Sequence, residues 1–265
     1  MLKDITLGQY FPGNTVVHRL DPRTKIILIV AYIVALFNCN GWISYALVVA
    51  ATAASMAISK IKPKSALKGL KPLVIIIVLT GILNIFYTDG TPIIKGWIIT
   101  WEGLEKAAMM ILRIILLIVG TFMLTYTTSP ISLTDGLEIM FGPLKKIKVP
   151  VHEMSMMMSM ALRFIPTLIE ETDKIMSAQK ARGADFDTGN IIQRAKALLP
   201  ILVPLFVSAF RRADELATAM ESRCYHGGDG RTRMKTLKMQ GIDYVAFLIA
   251  AAFLAVIFVL KHFGL

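Results

Sequence analysis

Two stretches in the last third of this chain carry the same chemistry. One is Ser177-Ala178-Gln179-Lys180-Ala181-Arg182-Gly183, and the other is Thr218-Ala219-Met220-Glu221-Ser222-Arg223-Cys224. Each closes a helix-like segment with a small residue, an arginine, and then Gly or Cys. A guanidinium is planar, always charged, and suited to a bidentate contact with a carboxylate or a row of carbonyls. A small residue beside it lets a partner surface approach. Two such ends predict two docking points, hence a partner with two similar halves. A plainer reading is that each arginine only complements the helix dipole, and the near-repeat weighs against it.

Patterns for catalysis are missing. No GxxxxGK[ST] loop occurs, so the chain does not hold ATP in the P-loop manner. His152-Glu153 is followed by Met-Ser-Met, which breaks a zincin motif. The histidines 18, 152, 226 and 262 are scattered, and none pairs at a metal-ligand spacing. No catalytic or metal-binding residue is therefore assigned. The dense acidic run Glu170-Glu171-Thr172-Asp173 leaves one enzymatic alternative, an intramembrane enzyme acting on lipid or isoprenoid substrates. A membrane assembly protein without transport is the other.

The elements that position these arginines lie in or on a membrane. Of 265 residues, 55% are hydrophobic and only 18% are charged, and mean hydropathy is +0.62. The class is an integral membrane protein. A net charge of +11 fits loops on the cytoplasmic side better than nucleic acid. The polar opening, from Met1 through Arg23, is not expected to be a cleaved signal. Cys39 and Cys224 fall on opposite sides of the expected topology and are not expected to pair.

Apolar runs cover 26–37, 42–59, 73–87, 104–127 and 244–260, with Asn38-Cys39-Asn40-Gly41 as a tight turn. The first is short, and is expected either to extend through Arg23 and Lys25 snorkelling outward or to span incompletely. Ala197 to Phe210 contains Pro200 and Pro204, is too short to span, and reads as a buried or interfacial helix. Lysines 60, 62, 64, 68 and 71 crowd the loop 60–71, and 128–240 is also basic. The loop 88–103 carries only Lys95. The bias predicts five spans with the N-terminus and both basic segments cytoplasmic and the C-terminus outside. Three regions follow: 1–127 with four spans, 128–240 as a cytoplasmic coupling-helix domain, and 241–265 as the last span.

From Glu153 to Lys180 apolar residues recur at helical spacing. Glu170 and Lys174 form a supportive i,i+4 pair. Pro166 is expected to kink or divide the helix, and Gly183 to end it. A second helix is expected from about Lys196 to Glu221, and a short one after Pro130. Five methionines crowd into residues 154–160. Flexible, polarizable side chains suit a surface that accepts several shapes. Met154, Met157, Met158, Ala161, Leu162 and Ile165 form that candidate surface. Arg113 lies near the middle of the fourth span, with Lys106 seven residues earlier on the same face; a charge there marks function, or else pairs with a polar neighbour or snorkels.

Several longer motifs now bear on family. They are Gly8-Gln9-Tyr10-Phe11-Pro12-Gly13, His18-Arg19-Leu20-Asp21-Pro22-Arg23-Thr24-Lys25, Ala161-Leu162-Arg163-Phe164-Ile165-Pro166-Thr167-Leu168, Arg211-Arg212-Ala213-Asp214-Glu215-Leu216-Ala217, and the two arginine ends running on to Asp185 and Tyr225. Together they resemble the transmembrane T component of energy-coupling factor (ECF) transporters, over most of the chain. The resemblance implies an all-α membrane protein of about five transmembrane helices plus cytoplasmic amphipathic coupling helices, in a prokaryotic plasma membrane. It implies a non-catalytic scaffold joining two ABC-type ATPases, which hold ATP and Mg, to a membrane-embedded substrate-binding S component. No cofactor is implied for the chain itself. In the family, Ala-Arg-Gly motifs end two coupling helices and enter grooves on the ATPases. Ala181, Arg182 and Gly183 match the first. Arg223 matches the second, with Ser222 and Cys224 in place of Ala and Gly, so the turn there is expected to draw on Gly227 and Gly228. The methionines favour a module shared among several vitamin S components over one dedicated to cobalt or nickel.

Overall fold

The computed structural model describes residues 10–91, 100–186, 190–228 and 236–263. Gly8 and Gln9 of the opening motif, and Lys95, lie outside them. The described residues form helices and no strand: α1 (Val16–Arg19), α2 (Pro22–Asn38), α3 (Trp42–Ser59), α4 (Pro63–Leu70), α5 (Val74–Tyr87), α6 (Trp101–Thr127), α7 (Pro130–Phe141), α8 (Val151–Ala181), α9 (Ile191–Glu221) and α10 (Gly241–His262). They divide into two compact units, one from residues up to 136 together with those from 237 on, the other from 137–236.

Among the described residues of the first unit, four stretches are long and apolar enough to cross a membrane: Trp42–Ser59, Pro63–Tyr87, Trp101–Thr127 and Gly241–His262. The all-α membrane architecture expected from sequence is present. The third span differs from the expected 73–87. α5 alone has 14 residues, about 21 Å of helix, and reaches span length only through α4 and the 3₁₀ turn at Lys71–Leu73. α2 has 17 residues, at the lower bound of roughly 17–25 for a span.

Bilayer solvent is written on the exposed faces. Ile75 of α5 is 79% exposed and Leu248 of α10 is 72% exposed, with Val78, Leu79, Phe86, Val245 and Val259 exposed beside them. A contiguous apolar surface of this kind is stable only against lipid or a membrane partner. Beneath it, α6 packs on α2, α3 and α5, and α10 packs on α2 and α3. Ala35, Leu36, Tyr45, Val48, Leu116 and Ile257 form the core. Gly120 lets the Tyr32 ring lie directly on the α6 backbone, where a Cβ has no room.

The start of α2 is set by Asp21-Pro22-Arg23. Asp21 is the N-cap, with its carboxylate accepting from the Arg23 backbone N–H at 2.9 Å, and proline stands at the first helical position. The same carboxylate takes the Arg23 guanidinium in a fork, Nε to Oδ1 at 3.0 Å and Nη2 to Oδ2 at 2.9 Å. Burial of Asp21 opposes its charge, but the hydrogen bonds from Arg23 outweigh it and hold the carboxyl below its ordinary pKa. The Asp21 backbone N–H donates to Asp243 Oδ1 at 2.9 Å, while Asp243 Oδ2 accepts from the Gln240 N–H and completes a capping box on α10. Lys25 Nζ donates to the carbonyls of Thr127, at 2.8 Å, and His18, at 3.2 Å.

Arg23 and Lys25 therefore do not snorkel outward. Lys25 is only 6% exposed, because the carbonyls at the end of α6 and the nearby carboxylates supply what water would. One short motif ties the starts of α2 and α10 to the end of α6.

Arg113 has partners as well. Its Nε donates to the Tyr45 hydroxyl at 2.8 Å, and its Nη2 donates to the Cys39 carbonyl at 3.0 Å. Cys39 is the C-cap of α2, so the guanidinium closes that helix's carbonyl end. Its carbon also lies 5.9 Å from the Phe37 ring centre and 5.8 Å from that of Tyr45. Trp42 Nε1 donates to Glu105 at 2.9 Å. The turn after α2 thus meets α6 near its midpoint, which is how so short a helix finishes without an exposed terminus. Both cysteines, Cys39 and Cys224, are free thiols.

Candidate docking ends of the coupling helices

The second unit is built on α8 and α9, each of 31 residues, or about 46 Å. The Arg212 guanidinium donates to Glu171 Oε2 at 2.8 Å. Gln179 Nε2 donates to the Pro200 carbonyl at 3.4 Å. Moving up α8 from 171 to 179 moves down α9 from 212 to 200, so the pair is antiparallel. Hydrogen bonds from Ser208 and Arg212 hold the Glu171 carboxyl below its ordinary pKa.

Pro166 does not divide α8, which is continuous from Val151 to Ala181, and α9 likewise runs through Pro200 and Pro204. Each proline removes one backbone donor, and packing along the helix pair outweighs that local loss. The second helix begins at Ile191, five residues ahead of its expected start at about Lys196.

Because the pair is antiparallel, the carboxyl ends of α8 and α9 stand at opposite ends of it. Both close in the same way. At the end of α8 the Gly183 N–H donates to the Lys180 carbonyl at 3.0 Å, and the Ala184 N–H to Gln179 at 3.0 Å. At the end of α9 the Cys224 N–H donates to Glu221 at 2.9 Å, and the Tyr225 N–H to Met220 at 3.1 Å. These paired bonds are Schellman turns, with Gly183 and Cys224 in the left-handed position. Gly183 has φ +87° and Cys224 has φ +55°.

The expectation that Gly227 and Gly228 supply the second turn is thereby corrected. Cys224 takes the left-handed conformation itself. Gly228 instead packs on the His152 ring, leaving no room for a Cβ, and His152 Nδ1 meets Glu138 at 3.0 Å. The loop leaving α9 is thus seated against the start of α8.

Ala181, Arg182, Gly183, Ser222, Arg223 and Cys224 are all exposed. Each arginine is the residue immediately before the left-handed one. The two guanidiniums therefore leave equivalent points on equivalent turns, which a sequence reading with Cys in place of Gly did not anticipate.

The methionine surface is also on the outside. Met154, Met157 and Met158 are 49%, 59% and 47% exposed. Ala161 is exposed, while Leu162 and Ile165 are half-buried. A second apolar ridge was not singled out from sequence. Leu199, Val203, Phe206 and Phe210 of α9 lie at helical spacing and are all exposed. The stretch 197–210 is therefore not buried within the chain. It is the apolar first part of the helix expected from about Lys196 to Glu221, which runs through both prolines.

Comparison with known proteins bears on the family. The CbiQ family, described as cobalt transport protein, matches residues 13–235. A protein of Thermosediminibacter oceani is 56% identical over 264 residues, covering 99% of both chains. One of Clostridium kluyveri is 56% identical over 254 residues, 94% of both. One of Bacillus subtilis is 47% identical over 260 residues, 96% of this chain and 98% of that one. All three are named energy-coupling factor transporter transmembrane protein EcfT.

The chain belongs to the T-component family of ECF transporters.

As a T component it is a multi-pass membrane subunit of a transporter, not an enzyme, and works with other components. Of the acidic run that left an enzymatic alternative open, Glu171 braces α8 against Arg212 of α9.

Proposed function

We propose that this T component is the transmembrane scaffold of an ECF-type ABC importer. It couples ATP hydrolysis by two ABC-type ATPase subunits to micronutrient uptake, with a vitamin as the cargo class, through interchangeable membrane-embedded S components. The observation that carries this reading is the pair of matched helix ends. Arg182 and Arg223 sit on the same turn at opposite ends of one antiparallel helix pair, as two equivalent ATPase grooves require.

In this reading Ala181 and Ser222 let the groove wall approach. Gly183 and Cys224 turn the chain away so that each arginine enters. ATP and Mg stay in the ATPases. When the ATPases close, the two docked ends are forced to move relative to each other, and α8 and α9 transmit that motion by hinge and shear. Met154, Met157, Met158, Ala161, Leu162 and Ile165 form the surface the S component meets, and methionine flexibility suits several S partners. The N-terminus and the coupling helices face the cytoplasm of a prokaryotic cell, and the C-terminus faces outside.

Affinity purification of the tagged chain with mass spectrometry tests the assembly. ATPase subunits and several vitamin-binding membrane proteins are expected, and purification without ATPases contradicts the scaffold. The family description as cobalt transport protein keeps a dedicated cobalt or nickel T component as a second reading. Recovery of a single metal-binding S component favours that one. Cysteines placed near Lys62, Arg182 and Gly228 are expected to label from the cytoplasm and one near Asp89 from outside; opposite labelling of 182 and 228 contradicts the orientation.

A further inference from the structure

The boundary between α3 and α4 carries a built concavity that the transport reading does not use. α3 ends at Ser59, and Lys60 turns the chain in the left-handed region at φ 54°. The Lys60 and Ile61 N–H groups close the helix on Ala57 and Met56 at 3.1 and 3.3 Å. This places Lys60 and Lys62 in the connection between two stretches long and apolar enough to span, where basic residues gather at the membrane surface. Both lysines are exposed, and both line a cavity of about 890 Å³ that also takes in Asn14, Thr15 and Ser65.

Charge in this cavity has one sign. Among the described residues, its lining includes Lys60 and Lys62 and no Asp or Glu. His18 also lines it but adds no charge. The Thr15 hydroxyl donates to Nδ1 at 2.7 Å, and Nε2–H donates to the Phe11 carbonyl at 3.1 Å. Both nitrogens are satisfied in the neutral ring, and burial holds the His18 pKa below its ordinary value. The rim, by contrast, is apolar: Phe11, Val16 and Ile58 are 49%, 55% and 54% exposed.

We propose that the cavity between the Phe11–His18 segment and the α3–α4 turn is a binding site for an anionic phospholipid. Lys60 and Lys62 meet the headgroup phosphate. Asn14, Thr15 and Ser65 offer hydrogen bonds to the rest of the headgroup. Phe11, Val16 and Ile58 lie along the acyl chains. Two ammonium groups, with no acidic residue among the described lining, recognise the phosphate, and the apolar rim selects a lipid over a free anion, which has nothing to place there.

The test uses the full chain in nanodiscs of phosphatidylcholine alone or of phosphatidylcholine mixed with phosphatidylglycerol. Lipids retained after transfer to detergent are counted by native mass spectrometry. Wild type should retain phosphatidylglycerol preferentially. An interfacial lysine near an anionic surface contributes about fivefold in affinity, so K60N with K62Q should lower the preference roughly ten- to thirtyfold. Asparagine at 60 tolerates the left-handed turn. K62Q alone leaves that turn untouched and should lose about fivefold, which keeps the test decisive if the double variant misfolds. K106Q, at the other end of the spans, should lose nothing. Inorganic phosphate should not displace the lipid. Equal retention of the two lipids by wild type, undiminished preference in K62Q, an equal loss in K106Q, or full displacement by inorganic phosphate each overturns the proposal.

Discussion

Gly183 and Cys224 occupy the same position in two copies of one turn. Both are left-handed, both donate to the carbonyl three residues back, and both follow an exposed arginine. A left-handed conformation costs a residue with a Cβ roughly 1–2 kcal/mol that glycine avoids. The cysteine is held there because the Tyr225 to Met220 bond closes the turn around it.

The cost can be measured. Cys224→Gly should stabilise the chain by about 1 kcal/mol, with the same partners bound. Cys224→Val, β-branched and ill-suited to positive φ, should destabilise it. Thermal unfolding in one detergent compares them. A glycine variant less stable than wild type contradicts the left-handed assignment.

Arg113 is a helix cap within the membrane unit. Arg113→Leu leaves the Cys39 carbonyl and the Tyr45 hydroxyl without their donor, a loss of roughly 1–3 kcal/mol for each buried group left unsatisfied. Arg113→Lys should recover only part, since one ammonium does not reproduce the fork. Tyr45→Phe alone should cost less and should be non-additive with Arg113→Leu in a double-mutant cycle. Additive losses count against the shared contact.

Asp21 predicts an acid limit. Its folded-state pKa lies below the ordinary value, so its contribution is present above the ordinary carboxylate pKa of about 3.9 and is lost as pH falls through the folded value. The melting temperature of the wild type should fall on acidification below that range. Asp21→Asn should start lower at neutral pH and fall less. Parallel curves for the two proteins contradict a charged Asp21 in the knot.

The methionine surface predicts a separable defect. Replacing Met154, Met157 and Met158 by Ala should weaken S-component capture, while the ATPases still co-purify. Each truncation in a packed interface costs roughly 2–5 kcal/mol, less where the surface adapts. Unchanged S-component capture returns these residues to lipid contact.

Much of this was legible in the sequence because apolar periodicity and punctuation are local. The turn at 38–41, the helix after Pro130 and the stop at Gly183 all appear where residue type predicts them. Three features were not legible, each for a physical reason. Lys25 reads as a snorkelling cation until the carbonyl of Thr127, 102 residues away, is seen to receive it. Arg113 reads as a charge needing a polar partner, and only the placement of the end of α2 beside it shows which one. Cys224 reads as a defect in a glycine motif, because propensity prices the residue alone and not the turn's hydrogen bonds.

The central claim is that the arginines on these two turns transmit ATPase motion to uptake. Truncating one partner of a desolvated, hydrogen-bonded charge pair costs roughly 2–5 kcal/mol, and lysine should rescue poorly. The direct measurement is vitamin uptake into proteoliposomes containing the whole transporter, alongside ATP hydrolysis, for Arg182→Ala, Arg223→Ala and the double variant. Each single variant should impair uptake. The double variant should nearly abolish it, while ATP hydrolysis by the complex that remains persists. Wild-type uptake by the double variant would contradict the account and leave the two arginines as ordinary helix termini.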